Sequence, residues 1–417
     1  MAGFSDKFQD GLMVVAEKVD DNKYLSSIKN AFTVFMPFVI VGSFGTLLNA
    51  LIASDTTGLA KWIPWLANLK PAFAALNFCT MSFMAVPIIF LIAMNLAKHN
   101  KVPEYITGVV AVAAYISVVP QSVTLGEQST AGLAGTTLGA QGLFIGMIMA
   151  VLVTELFSAL IKIDKIKIKM PPAVPAGIAI FITLTLTSVA GIMFKMVSGA
   201  HINEWIYQIV QAPLEAIFQS PAGIIAIVVI SQLFWFLGIH GGLVISPIRN
   251  PLMAAAIAAN VAAVGAGQVA TQPVTYGFWL NFVVTGGAGI TLSLIFAIFL
   301  FSKREDHRMI AKLSFLPGLC GISEPIVFGL PLVLNPTFAI PFIFNSGIST
   351  AIAMFATSIG FLPCNTVDVP FGVPVIHSAI IGHGWQGVVV QIVILAVCTF
   401  TWAPFVLISN KQAATEA

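Results

Sequence analysis

Charged residues are scarce in this chain of 417 residues. Only 9% of the residues are Asp, Glu, Lys or Arg, whereas 58% are hydrophobic. A water-soluble domain usually carries roughly 25% charged residues, so the composition predicts an integral membrane protein in contact with lipid. The formal net charge of +2 provides no basic face, which argues against a nucleic-acid partner.

Cysteine pairs and nucleotide-binding loops are also missing. The four cysteines are dispersed, lie in apolar contexts and form no CxxC pair. We therefore expect inert buried thiols rather than a metal site or a disulfide framework. No GxxxxGK[ST] loop occurs and no attached soluble domain is evident, so we expect no cofactor, no metal and no ATP bound to this chain.

Long apolar runs fill most of the chain. A bilayer-spanning helix needs roughly 17–25 apolar residues, and the runs predict an all-α polytopic membrane protein with about ten transmembrane helices. The predicted spans lie near residues 29–53, 72–97, 104–120, 138–162, 172–199, 221–239, 250–270, 276–302, 336–360 and 385–410. Before them, the apolar spacing within residues 1–28 predicts an amphipathic helix on the membrane surface.

Two further apolar segments, residues 317–333 and 361–380, are interrupted by proline and glycine. Such segments are tolerated at membrane depth where they line a cavity or lie inside protein, so we expect two re-entrant hairpins. In the first segment Pro325 and Pro331 prevent an unbroken helix, and Pro325 biases Glu324 away from helical geometry.

The positive charges are distributed unevenly along the chain. With the N-terminus inside, sixteen of the nineteen Lys and Arg residues fall on the inner side, including Arg249. This bias predicts that both termini are cytoplasmic. The basic inner loops at 161–170 and 302–313 are either ordinary anchors or a docking surface for a cytosolic partner. The polar, glycine-rich sequence of the outer loop 121–137 predicts a small hairpin.

Ionisable side chains within apolar segments are candidates for function, because burying a charge in a membrane is costly. The candidates are Glu155, His240, Glu324, Asp368, His377 and His383. We expect Glu155 to be structural, and His377 and His383 to be wet loop residues.

Glu324 and His240 are the stronger candidates. Glycine and proline surround Glu324, so it is expected to face a cavity, although it could instead cap a following half-helix. The glycines around His240 have no side chains, so a ligand can approach the imidazole closely. The alternative is that His240 is a core histidine with satisfied hydrogen bonds. Aromatic rings and amides would complete a site suited to a sugar, which has flat C–H faces and polar rims. They are Trp235, Phe371, Asn281, Asn335 and Asn365.

Four strings carry a family resemblance: GIHGG, NFVVTGGAGITLSL, GISEPIVFGLPLVLNP and DVPFGVP. They resemble the membrane-spanning IIC component of phosphoenolpyruvate-dependent sugar phosphotransferase systems, in the lactose/cellobiose/diacetylchitobiose branch. The resemblance implies a homodimer in the bacterial plasma membrane, with ten transmembrane helices per protomer. It implies a dimerising half at 29–220, a sugar-binding half at 221–410 and a cytoplasmic tail at 411–417.

The resemblance also implies how the site works. His240 and Glu324 would hydrogen-bond the C6 hydroxyl that later receives phosphate, Glu324 could accept its proton, and Trp235 matches a sugar-contacting aromatic. The phosphoryl donor would be a separate IIB protein, supplied by IIA. Many relatives have Trp in place of Phe371, and the string GVPVIHSAIIGHGW also departs from lactose and cellobiose members, so the sugar stays open.

Three classes of function are compatible with the residues themselves. The first is group translocation, in which a β-linked disaccharide is phosphorylated during transport; whether this subunit counts as an enzyme stays open. The second is an ion-coupled secondary transporter with Glu324 and Asp368 as proton sites. The third, a receptor or scaffold that transports nothing, would leave the acid and the imidazole without a role.

Overall fold

The computed structural model describes residues 22–54, 58–125, 128–163, 177–238 and 240–416. The predicted amphipathic segment 1–28 and the basic loop 161–170 lie mostly outside these ranges. The chain divides into two compact units at Glu215 and Ala216, and each unit packs its own helices.

In its described residues, the first unit consists of helices, short connecting segments and one small hairpin. Its helices and strands are α1 Lys23–Leu48, α2 Lys70–Thr80, α3 Ala85–Asn100, α4 Glu104–Val118, β1 Ser122–Leu125, β2 Gln128–Ala131, α5 Gly135–Leu138, α6 Leu143–Leu160, α7 Gly177–Ser198 and α8 Ile202–Ile206, with α9 Ala212–Gln219 crossing the boundary. Strands β1 and β2 pair antiparallel, with Ser122 opposite Ala131, which confirms the predicted hairpin.

Within the described ranges the second unit is entirely helix and irregular segments. Its helices are α10 Pro221–Phe236, α11 Gly241–Val244, α12 Ser246–Gly265, α13 Tyr276–Phe278, α14 Thr291–Phe301, α15 Glu305–Leu319, α16 Glu324–Gly329, α17 Ala339–Ser358 and α18 His377–Glu416. A π-helical turn at Trp279–Val283 follows α13 directly, and α18 is interrupted at Gly384, where φ is 68°.

The all-α membrane architecture is confirmed. Among the described residues, seven helices are long and apolar enough to cross a bilayer, or eight if the bent pair Ile202–Gln219 and Pro221–Phe236 is one span. The count of ten stays a prediction. A core of apolar side chains from α14, α17 and α18 holds the second unit together, and the buried Trp402 donates its indole N–H to the carbonyl of Gly289 at 3.3 Å.

Both broken segments are irregular, but the details of the first differ from the prediction. Helix α15 runs through Pro317 to Leu319, and the chain then breaks before α16. Glu324 is the first residue of α16, so the expectation that it avoids helical geometry is wrong. Pro325 lies in the first turn, where the missing N–H would have had no helical partner. The second segment is non-helical until His377.

Three smaller expectations have mixed outcomes. Glu155 forms an ion pair with Lys23 at 2.6 Å, in keeping with a structural role. His377 is exposed, but His383 is only 3% exposed and packs edge-on against Phe282, so the prediction of a wet loop residue at 383 is wrong. The expectation that all four thiols are buried is wrong, since only Cys398 is buried and Cys79 is exposed. Apolar neighbours along the chain do not guarantee burial.

Candidate functional site

The second unit contains a cavity of about 270 Å³, near the small end of the roughly 300–1,000 Å³ range of small-molecule sites. Its lining combines aromatic rings with a carboxylate, an imidazole, a guanidinium and uncharged polar groups. The lining residues are Ser231, Gln232, Trp235, His240, Gly242, Leu243, Arg249, Tyr276, Trp279, Leu280, Val284, Ala288, Gly321, Ser323, Glu324 and Phe371.

The imidazole of His240 is held in place from two sides. Its ring lies on the indole of Trp235, with centroids 4.4 Å apart. Its Nδ1 accepts a hydrogen bond of 3.2 Å from the backbone N–H of Leu243 at the start of α11. Because Nδ1 accepts, the proton of the neutral ring is on Nε2, which can donate to a ligand hydroxyl.

Two glycines after His240 allow the close approach that the sequence predicts. A Cβ at Gly241 would lie 1.8 Å from the carbonyl oxygen of Ser231, so only glycine lets α11 pack against α10. A Cβ at Gly242 would lie 3.3 Å from the ring of His240 and 3.5 Å from Nη1 of Arg249. The imidazole and the guanidinium therefore flank the same glycine.

The first broken segment contributes Glu324, whose exposed side chain lines the cavity. The carboxylate interacts electrostatically with His240. The second broken segment contributes Phe371, whose ring reaches within 3.5 Å of the position a Cβ of Gly321 would occupy. A backbone hydrogen bond of 2.8 Å from Val375 to Leu319 joins the two segments.

The turn that bears Tyr276 and Trp279 is fixed by a buried polar network. The carboxylate of Asp368 accepts a hydrogen bond of 2.7 Å from the N–H of Gly277 and one of 3.0 Å from the side chain of Asn365. The hydroxyl of Thr275 donates to Asn365 and accepts from Phe278 N–H at the start of α13. Asp368 thus holds the cavity wall and is not itself among its lining residues.

Two polar groups in the cavity wall have no partner within the described ranges. They are the hydroxyl of Ser231 and the carbonyl oxygen of the Gln232 side chain, and both residues are 1% exposed. A buried polar atom without a hydrogen bond costs about 1–3 kcal/mol. Both atoms are therefore suited to hydroxyl groups of a bound ligand.

The structure brings four of the six predicted site residues together: Trp235, His240, Glu324 and Phe371. The remaining two predicted site residues are asparagines, and they are not among the lining residues of the cavity. Asn281 is fully buried and donates to the carbonyl of Ser378 at 3.3 Å, and Asn335 caps a local turn through the N–H of Thr337. Their predicted contact with sugar rests on the sequence alone.

Sequence reasoning missed Arg249, which was counted only as a positive charge of the inner side. The signal was available, because an arginine near the start of an apolar helix and between two prolines is itself an ionisable residue in a span. Ser231 and Gln232 had no comparable signal. In the described ranges, no group of three or more His, Cys, Asp or Glu side chains could hold a metal ion.

A polytopic helical membrane protein with a polar, aromatic-lined cavity between broken segments belongs to the class of transporters. The chain belongs to the family described as "Phosphotransferase system, EIIC", which matches residues 29–346. It is therefore a sugar permease component of a phosphotransferase system and an integral membrane protein.

Individual relatives match over nearly their whole length. The oligo-beta-mannoside-specific EIIC component of Bacillus subtilis is 29% identical, covering 97% of this chain and 94% of the relative. The cellobiose-specific EIIC component of Geobacillus stearothermophilus is 28% identical, covering 100% and 96%. The crystal structure of ChbC, the IIC component of the N,N'-diacetylchitobiose-specific system, has a TM-score of 0.88 and 28% identity over 97% of both chains.

Proposed function

We propose that this protein translocates a β-linked disaccharide across the bacterial plasma membrane and that the sugar is phosphorylated at C6 by a separate IIB protein. The observation that carries the proposal is the convergence of Glu324 and His240 on one cavity walled by Trp235 and Phe371. Aromatic faces pack on the C–H faces of a sugar, and the two polar side chains bind its hydroxyls.

The proposed step transfers a phosphoryl group to the C6 oxygen. Nε2–H of His240 donates to that oxygen and positions it. The oxygen attacks phosphorus, the bond between phosphorus and the donor atom of IIB breaks, and its electron pair leaves with the donor. Glu324 accepts the hydroxyl proton, so the attacking oxygen gains nucleophilic character as the new bond forms.

The substrate class is proposed from the relatives. Those named for oligo-beta-mannoside, cellobiose and diacetylchitobiose are named for β-linked sugars. Phe371 offers a smaller stacking surface than tryptophan and no indole N–H. We expect this difference to affect which disaccharide binds best.

The partners are proposed on the same basis. The relatives named EIIC alone match along nearly all of their length, which supports a phosphoryl donor on another polypeptide. The lactose-specific relative of Lacticaseibacillus casei is named an EIICB component, and this chain covers 72% of it. The homodimer, the dimerising role of residues 29–220 and the cytoplasmic termini stay predictions.

The decisive experiment reconstitutes the purified protein in liposomes. Cellobiose, lactose, diacetylchitobiose and mannobiose are tested for uptake with phosphoenolpyruvate and the cytosolic phosphocarriers, and again without carriers but with a proton or sodium gradient. We expect strong accumulation of a 6-phosphate only with the carriers. Uphill uptake of unmodified sugar on an ion gradient alone would establish the secondary transporter instead.

A further inference from the structure

Arg249 places a positive charge in a cavity that we propose for a neutral sugar. Its guanidinium lies 4.5 Å from the centroid of the Trp279 ring. Its Nε and Nη2 both donate to the side-chain oxygen of Asn250, at 3.2 and 3.0 Å. Among the residues that the structure describes, no carboxylate forms an ion pair with Arg249.

The place of Arg249 in its helix is unusual for a cation. Helix α12 begins at Ser246, and the N–H of Arg249 bonds to the carbonyl of Ile245 at 2.9 Å, so the residue lies in the first turn. The N-terminal end of a helix carries partial positive charge and favours anions, so a cation there is disfavoured. An anion bound at this position would be stabilised by the guanidinium and the helix end together.

One nitrogen of the guanidinium lies near Gly242, the glycine two residues after His240. Nη1 makes no hydrogen bond within the described ranges. It is also the Arg249 atom that comes within 3.5 Å of the Cβ position at Gly242, and the ring of His240 comes within 3.3 Å of the same position. A free guanidinium N–H₂ thus flanks the glycine beside the imidazole that is proposed to hold the C6 hydroxyl.

The anion that the proposed reaction brings to this place is the phosphoryl group. Resting on the proposed function, we propose that Arg249 forms a phosphoryl-binding subsite, in which Nη1 donates to the group during its transfer and to the 6-phosphate of the product. Trp279 and Asn250 hold the guanidinium in its orientation. Arginine suits this role because it stays charged and its planar fork matches phosphate oxygens.

The subsite adds no atom to the balance of the reaction. The bond from phosphorus to the donor atom of IIB breaks, the bond to the C6 oxygen forms, and the proton of the hydroxyl goes to Glu324. Arg249 neutralises negative charge on the phosphoryl oxygens. A guanidinium placed in this way contributes about 10³- to 10⁵-fold to the rate in other phosphoryl transfers.

The test separates binding of sugar from binding of phosphate. Wild type, Arg249→Gln, Arg249→Lys and the control Lys195→Gln, which removes an exposed charge from the other unit, are purified in detergent. The sugar from the transport panel with the lowest Kd and its 6′-phosphate are titrated calorimetrically into each. Single-turnover phosphorylation by phosphorylated IIB is measured on the same samples.

We expect Arg249→Gln to bind the free sugar nearly as wild type does and to bind its 6′-phosphate about tenfold more weakly or worse. Phosphorylation should fall by about 10³-fold or more, with Arg249→Lys intermediate in both assays and Lys195→Gln unchanged. Equal losses for sugar and sugar phosphate, or an unchanged rate, would overturn the subsite.

Two further outcomes are distinguishable. If Arg249→Gln does not fold, as judged by gel filtration and thermal melting, Arg249→Lys decides: a lower rate with unchanged sugar affinity supports the subsite, and an unchanged rate refutes it. If the wild type phosphorylates no sugar of the panel with active carriers, the proposed function fails. That result does not depend on any Arg249 variant.

Discussion

The imidazole of His240 rests on the indole of Trp235, with ring centroids 4.4 Å apart. The indole belongs to the last turn of α10 and the imidazole to the start of α11, so this tilted contact between the rings joins the two helices at their corner. Both residues line the cavity. Sugar binding should therefore depend on both rings.

Replacing His240 by alanine should weaken sugar binding by about 1–3 kcal/mol, the cost of leaving a ligand hydroxyl without its partner. Calorimetric titration of the purified protein measures the change in Kd. His377→Ala is the matched control, since His377 is exposed and absent from the cavity wall. Equal affinity of His240→Ala and wild type would remove His240 from the proposed site.

Replacing Glu324 by glutamine keeps the shape of the side chain and removes the proton acceptor. Binding of sugar should survive in part, while single-turnover phosphorylation falls by roughly 10²- to 10⁴-fold, as for a lost general base. Glu204→Gln, at an exposed carboxylate of the first unit, serves as the control. A parental rate of phosphorylation in Glu324→Gln would show that the base is another group.

Two substitutions of Asp368 test whether its carboxylate positions the cavity wall or serves as a proton site. Asparagine at this position can still accept from Gly277 N–H, so Asp368→Asn should preserve most phosphorylation activity. Asp368→Ala removes the acceptor and should destabilise the protein by about 1–3 kcal/mol, seen as a lower Tm. Loss of uptake in Asp368→Asn at an unchanged Tm would instead favour the ion-coupled transporter.

We expect His307 to make the stability of the protein depend on pH. It lies in α15, which is not among the candidate spans, and burial, together with the charge of Arg304, lowers the pKa of its imidazole. Below the unfolded pKa of about 6.5 the unfolded chain binds a proton that the folded protein does not, so stability falls as pH falls. Tm should drop less between about pH 7.5 and 5.5 in His307→Gln than in wild type. Parallel plots of Tm against pH for the two proteins would show that His307 does not cause the pH dependence.

The orientation predicted from the positive charges can be tested with single cysteines in a Cys-less variant. Gln128→Cys in strand β2 and Lys312→Cys in α15 are both exposed positions. An impermeant thiol reagent applied to intact cells should label residue 128 and should label residue 312 only after lysis, because basic segments stay inside. Labelling of residue 312 in intact cells would invert the topology.

Much of the site was predictable because its signals are local. Gly and Pro around Glu324 and His240 mark broken helices wherever the chain packs, and an acid or imidazole there needs a polar surrounding. The helical backbone of Glu324 was not predicted. A residue before proline is biased away from helix, but proline is tolerated in a first helical turn, and the second effect prevails here. The predicted contact of Asn281 with sugar stays a prediction, because an amide in an apolar segment has the same sequence pattern whether it binds sugar or the carbonyl of Ser378.

The sequence by itself determined the membrane class, the apolar helices and the two segments broken by proline and glycine, since each depends only on runs of apolar residues and on local backbone chemistry. The tertiary structure alone decided which side chains meet. Arg249, Ser231 and Gln232 join Glu324 in one cavity, and His383 turns into the core. In a helix of a soluble protein the apolar stripe identifies the buried face. Lipid and protein interior are equally apolar, so in a membrane helix the same residues can face either the lipid or the protein. Only packing shows which face of each helix lines the site.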